Sequence, residues 1–263
     1  MQSRRSRTSS NSPRVTVRRI LGALLVFSAL PAAAGAQTLP QRIAALGSGT
    51  VHLTFAARPG VCGDGLHSIR VVEGNEEWQE DCEPQQLRVA LQVHDRRVTE
   101  VRSYVGGRWR PGVSATDLGT VRPQDAAAYF ISLAERGGDI SGDPLLPATL
   151  ADSSTIWPAL LRLARTPAVP LATRRTAVFW LGQAAGAAAA RSLDSIAGDS
   201  AGDREVRKQA VFALSQRSGN EGVPALLRVA RSNPDPELRK TALFWLGQSE
   251  DPRALALFEE ILR

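Results

Sequence analysis

The side chains best able to do chemistry are few, and they stand in the first half of the chain. They are His52, His67 and His94, Cys62 and Cys82, and the acidic residues Glu76-Glu77 and Glu80-Asp81. Cys62 and His67 are separated by four residues, with His52 nearby. A closed zinc site uses two tight ligand pairs, and this is barely one. Two cysteines with no competitors favour a disulfide in an oxidising compartment. Closing the Cys62–Cys82 loop of about 20 residues would stabilise by roughly 3 kcal/mol in the chain-entropy picture. A carboxylate pair can serve acid–base chemistry, but the acids before Cys82 read as a solvated turn. His52 alternates away from the apolar face of its strand and is expected to point to water. His94 stands on a polar face before a turn. The glycine-rich segment 58–65 lacks the strand before and helix after that a phosphate cradle needs. No nucleophile elbow, His-Glu-x-x-His helix or Cys-x-x-Cys pair occurs. Asp199 and Asp203 bracket too short a segment for a calcium loop. The expectation is a binding protein with no catalytic residue, metal or cofactor; a hydrolase in the β region is the minor alternative.

Charge points to the compartment. The chain has 263 residues and 32 Lys+Arg against 26 Asp+Glu. Six of those arginines (4, 5, 7, 14, 18 and 19) precede residue 37, where no acid occurs, so positions 37–263 are balanced. A nucleic-acid binder keeps its positive excess in the folded part, so no nucleic-acid partner is expected. The arginines run into the apolar stretch Ile20–Leu30, then Pro31, then Ala34-Gly35-Ala36. That order is a secretory signal peptide over residues 1–36, with cleavage after Ala36. The stretch is short for a bilayer span, which needs about 20 residues; an uncleaved anchor is the alternative. A periplasmic or secreted protein is expected, with no membrane span after signal removal. N-terminal sequencing of the exported protein should therefore begin at Gln37; a start at Met1 would replace the cleaved signal with a retained anchor.

The elements that must position any site fall into two classes, so the expected fold class is α+β. Residues 37–120 read as a small β domain carrying the Cys62–Cys82 disulfide. Val51, Leu53 and Phe55 alternate with polar neighbours, as do Leu87, Val89, Leu91 and Val93. Val98–Val105 follows the polar turn Asp95-Arg96-Arg97, which makes a hairpin. Ser68–Glu73 is a shorter strand candidate, and Gly106–Gly119 reads as linker. Residues 121–155 form a connecting or capping helical segment, with one helix over Pro123–Arg136 ended by Gly137-Gly138.

Residues 156–263 repeat. Thr176-Ala177-Val178-Phe179-Trp180-Leu181-Gly182-Gln183 returns as Gln209-Ala210-Val211-Phe212-Ala213-Leu214-Ser215-Gln216. It returns again as Thr241-Ala242-Leu243-Phe244-Trp245-Leu246-Gly247-Gln248. First helices are expected over Trp157–Arg165, Ala190–Gly198, Val223–Arg231 and Pro252–Arg263. Asp203, Asp235 and Asp251 can cap helix starts. A period of about 30 residues means stacked helical hairpins, a solenoid whose neighbours supply each other's core.

The pattern resembles the HEAT-repeat family, in the short form known from phycocyanobilin lyases. That form places an Asp, then Val-Arg, Ala, Ala and Leu-Gly on the second helix. Asp203, Val206-Arg207, Ala210 and Ala213-Leu214 match, as do Asp235, Leu238-Arg239, Ala242 and Leu246-Gly247. The first repeat departs, with Pro170 and Thr173 at the Asp and Val positions. The resemblance covers about residues 155–263 and implies a HEAT-like solenoid whose second helices line the concave face. The family includes scaffolds, regulators and lyases. A scaffold binding a protein or peptide is the first reading, and a cofactor- or chromophore-handling protein the alternative.

At about 100° per residue, Val206, Ala210, Ala213 and Leu214 share one arc, and Phe212 falls opposite them. Phe179 and Phe244 repeat that position. Arg175, Lys208 and Lys240 lie one turn earlier; Gln183, Gln216 and Gln248 one turn later. These nine are the candidate binding residues, in rows of cation, Phe and Gln. Either they are open to a partner, or residues 37–155 cover them. Trp180 and Trp245 are assigned to packing. Arg174, Arg207 and Arg239 are expected to pair with acids such as Asp203 and Asp235.

Overall fold

The computed structural model describes residues 37–65, 69–71, 86–184 and 186–263. The signal segment, His67, the acidic run and Cys82 lie outside the described residues. α1 (Leu39–Ala44) leads into β1 (Gly49–Ala56), β2 (Val61–Gly63) and β3 (Ile69–Val71). Then come β4 (Gln86–His94), β5 (Arg97–Val105), β6 (Thr116–Thr120), α2 (Pro123–Arg136) and α3 (Leu145–Leu150). α4 (Trp157–Arg165) pairs with α5 (Leu171–Gln183), α6 (Ala187–Gly198) with α7 (Arg204–Ser215), and α8 (Val223–Ser232) with α9 (Pro236–Gly247). α10 (Pro252–Ile261) follows.

The main sheet has the order β5-β4-β1-β6. β1 runs antiparallel to β4 and parallel to β6. Period-two patterning turns Val51, Leu53, Phe55, Leu87, Val89, Leu91 and Val93 to one face, where none is more than 1% exposed. α2 and α3 cover that face, and Phe55 meets Phe130 of α2 at 6.3 Å between ring centroids. The apolar core then continues without a break through α4 to α10.

The opposite face corrects two expectations. His52 does not point to water: it is 7% exposed and stacks under Trp109 at 3.7 Å, with the rings 5° from parallel. Burial lowers its pKa, Arg102 lowers it further, and Asp117 opposes both. Gly106–Gly119 is not a plain linker, because its end forms β6 beside β1. The strand pairs only with distant residues, and Arg42 donates to the Leu118 carbonyl at 2.9 Å. Its Thr-Asp-Leu-Gly-Thr sequence has no apolar alternation to read. Cys62 is buried in β2, and no described cysteine is free.

The outer edge of β5 is covered by the turn before α3. Ser141 donates to the Thr99 carbonyl and accepts from the Val101 amide, each at 2.9 Å. Gly142 makes this approach possible. Its φ is +88°, and a Cβ there would lie 2.1 Å from the Val101 carbonyl oxygen. Gly142→Ala should destabilise the protein by about 1–3 kcal/mol through overpacking, read as a lower urea midpoint at unchanged slope. An unaltered midpoint would show that the turn does not press on the strand.

Candidate binding face

Each repeat buries the apolar arc of its second helix against its neighbours. Ala177, Val178 and Leu181 of α5 are fully buried, as are Ala210, Val211 and Leu214 of α7 and Leu238, Ala242 and Leu246 of α9. α7 lies between α5 and α9, so these three helices form one side of the stack. The starts of α7, α9 and α10 are set by the expected caps. Asp203 accepts from the Glu205 amide at 2.9 Å, Asp235 from that of Glu237 at 3.0 Å, and Asp251 from that of Arg253 at 2.9 Å. The Arg253 guanidinium also binds Asp251 and holds its pKa down at about 2.

Asp203 and Asp235 also tie one repeat to the next. Arg174 reaches Asp203 at 3.5 Å, and Arg207 reaches Asp235 at 3.8 Å. Arg207 is 5% exposed and donates to the Asn233 side chain at 3.0 Å, while Asn233 donates to the Ala197 carbonyl at 3.2 Å. Arg204 binds Asp235 at 2.9 Å. Burial pushes the Asp235 carboxyl up, but the Glu237 amide, Arg204 and Arg207 outweigh it and hold the group below the usual range. Ala201 stands where the next repeat has Asn233. The Arg174 Nε has no hydrogen-bond partner, whereas the Arg207 Nε donates to the Ala197 carbonyl at 3.4 Å. Arg239 differs from its equivalents and donates to the Asn233 carbonyl at 2.7 Å.

With the arc and the arginines turned inward, the opposite arc is left outward. Phe179 is 38% and Phe244 58% exposed; Phe212 is half-buried. Residues 37–155 therefore do not cover the outer rings. Trp245 lies 5.3 Å from Phe212 and 5.0 Å from Phe244, joining two helices in one aromatic strip. Trp180 lies 5.1 Å from Phe179, and its indole N–H donates to Asp143 at 2.8 Å, anchoring α5 to the turn before α3. Both tryptophans pack against the core, as their alignment with Ala213 suggested, yet Trp245 also belongs to the outer strip. Arg175, Lys240, Gln183, Gln216 and Gln248 are exposed; Lys208 is partly covered and pairs with Glu205 at 3.6 Å.

Two features escaped sequence reading. A cavity of about 340 Å³ opens beside the glutamine row, between Leu214, Gln216, Leu226, Trp245 and Gln248. Arg217 forms part of its wall and donates to the Ala184 and Gly182 carbonyls at 2.9 and 3.3 Å, satisfying the end of α5. No sequence signal marks Arg217, since its partners precede it by one full repeat.

Among the described residues, no group of three or more His, Cys, Asp or Glu side chains is placed to hold a metal, and no helix is long and apolar enough to cross a membrane. Residues 198–263 match the family model described as HEAT repeats. No curated protein and no solved structure matches the chain.

The two kinds of arginine should separate in mutants. Arg207→Ala removes the buried partner of Asn233 and Asp235 and should cost about 3–5 kcal/mol. Arg175→Ala, on the outer face, should change stability by less than about 0.5 kcal/mol. Equal losses in chemical denaturation would contradict the assignment of the two to opposite faces.

Proposed function

Taking as premise that residues 198–263 are HEAT repeats, we propose that this chain is an exported, non-enzymatic scaffold that binds a protein or peptide along the face formed by α5, α7 and α9. The observation that carries the reading is the exposure of Phe179 and Phe244 at equivalent positions of repeating helices. Leaving a large apolar side chain wet forfeits roughly 1.5–3 kcal/mol relative to burial. A strip of such residues edged by polar groups is the usual form of a contact surface. Aromatic rings, with few rotatable bonds and large area, are also the residues most able to dominate an interface.

Export rests on the acid-free arginine start, the apolar run and the small residues before Gln37. In that compartment Cys62 and Cys82 form the disulfide that closes the loop between β2 and β4. The partner is met by contact rather than by chemistry, and no nucleic acid or cofactor takes part.

The test is capture of partners from the exported fraction by the mature chain and by a Phe179→Ala, Phe212→Ala, Phe244→Ala variant whose circular dichroism matches the parent. Loss of a captured protein at least about tenfold is expected, as for central aromatic anchors. Undiminished recovery of every partner by the folded variant would remove the face from consideration.

A further inference from the structure

The half of the chain before the repeats carries a cavity that the binding face does not use. α1, the start of β5 and the C-terminal end of α2 flank a space of about 900 Å³. Pockets of roughly 300–1,000 Å³ bury most of a drug-sized molecule, so this one has room for far more than a lone ion. Its apolar wall comes from Ile43, Val98, Leu133 and Ile140, all packed on or within the core.

The charged groups on the same walls are mostly of one sign. Arg96, Arg97 and Arg136 line the cavity against one lining acid, Asp139. Acids close to them in sequence are engaged elsewhere. Asp95 lies 3.4 Å from His94, Glu100 3.5 Å from Arg102 and Glu135 3.7 Å from Arg162. Among the described residues, the Arg96 and Arg97 side chains have no hydrogen bond or ion pair. Arg136 donates to the Ser132 hydroxyl at 3.2 Å, which leaves most of its five N–H donors free. Arg96 also stands there against a backbone preference. Asp95 and Arg96 form the two-residue turn between β4 and β5 with φ of +48° and +62°, a shape that hairpins usually give to Asn-Gly or Asp-Gly. The Arg96 amide fixes the turn by donating to the Gly47 carbonyl at 2.6 Å. A long side chain at a position that suits glycine is a strained choice, and such choices gather at functional sites.

Tyr129 supplies a second, independent pointer. It lines the cavity at 5% exposure, and among the described residues nothing hydrogen-bonds its hydroxyl. Burial pushes the phenol up to about 12, with Arg136 opposing, so the group is a neutral donor at ordinary pH. A buried hydroxyl without a partner is unfavourable, and an anion in the cavity would accept its proton in a hydrogen bond.

We propose that this cavity binds a small amphipathic anion, with a carboxylate or phosphate head held by Arg96, Arg97, Arg136 and the Tyr129 hydroxyl, and an aliphatic body lying on Ile43, Val98, Leu133 and Ile140. Guanidinium forks match both head groups, and the apolar wall separates such a ligand from a free inorganic ion. The site is independent of the face on α5, α7 and α9, and either can fail without the other.

The experiment titrates the whole mature chain by calorimetry with decanoate, decyl phosphate, decyltrimethylammonium and acetate, the decyl compounds kept below micelle formation. At least one decyl anion should bind about tenfold or more tighter than both the decyl cation and acetate; the tighter anion identifies the head group. An Arg97→Glu, Arg136→Glu pair should weaken that binding at least about tenfold, as charge reversal does. Tyr129→Phe, which keeps the ring, should weaken it by about tenfold, the scale of one hydrogen bond to a charged group. Equal affinity for the decyl anions and the decyl cation overturns the proposal. So does undiminished binding by the arginine variant with its circular dichroism unchanged. Unaltered affinity in Tyr129→Phe would place the anion on the surface arginines alone and overturn the cavity site. Binding to phosphatidylglycerol vesicles without binding to either decyl anion would give the arginines to a membrane surface and overturn it as well.

Discussion

A helical hairpin of this length cannot bury its apolar side alone, and this constraint shapes the whole helical half. Each second helix has a stripe, such as Ala210, Val211 and Leu214, that is dry because α5 and α9 flank α7 and the first helices α6 and α8 pack against it. The apolar stripe draws hairpins together but does not say at what height. The charged steps do. Arg207 finds Asn233 and Asp235 at one register only, and a slip by one residue would strand a buried guanidinium. The aspartate at the step is also a helix cap, so a single carboxylate starts one helix and aligns it with the previous one. Buried charge is costly unless paired, and here that cost sets the register.

Register is what makes the outer face regular. Because α5, α7 and α9 are held at matched heights, a residue type repeated at one position becomes a row across the stack. The wet rings lower stability locally, and nothing in the described N-terminal half offsets that. Trp180 illustrates the difference. It stands next to an exposed Phe, but its N–H is tied to Asp143, so its position is spent on joining the stack to the sheet layer. Trp245 has no such tie and leans between Phe212 and Phe244. The same residue type at equivalent positions therefore does different work at the two ends of the face.

How much was legible follows from how local each signal is. The boundaries of α4 agree with its pattern because apolar spacing and flanking Pro act within one turn. The caps at Asp203, Asp235 and Asp251 were readable for the same reason. The hairpin of β4 and β5 was visible in its alternation. β6 was not, because its partners lie more than 60 residues earlier and its own residues are polar. The burial of His52 was missed because alternation says which face a side chain takes, not whether Trp109 will lie over that face. The start of α6 at Ala187 was placed too late, since an alanine run gives no periodic edge. Exposure of the Phe row followed from the helical wheel, but its freedom from the N-terminal half depended on where α2 and α3 dock.

The irregular first repeat follows from the direction of the charged steps. Each arginine reaches forward, Arg174 to Asp203 and Arg207 to Asp235. An acid at position 170 would have no arginine behind it, because α3 and the sheet layer, not another repeat, precede α5. Pro170 stands there as an N-cap with no side-chain bond, its carbonyl accepting from the Arg174 amide at 3.0 Å. The last arginine shows the complementary case: Arg239 turns back to the carbonyls of Asn233 and Pro234, while Asp251 is taken by Arg253. The departures from the repeat pattern thus fall where the pairing rule has no partner to supply, and the binding positions, which do not depend on that pairing, keep their spacing through all three second helices.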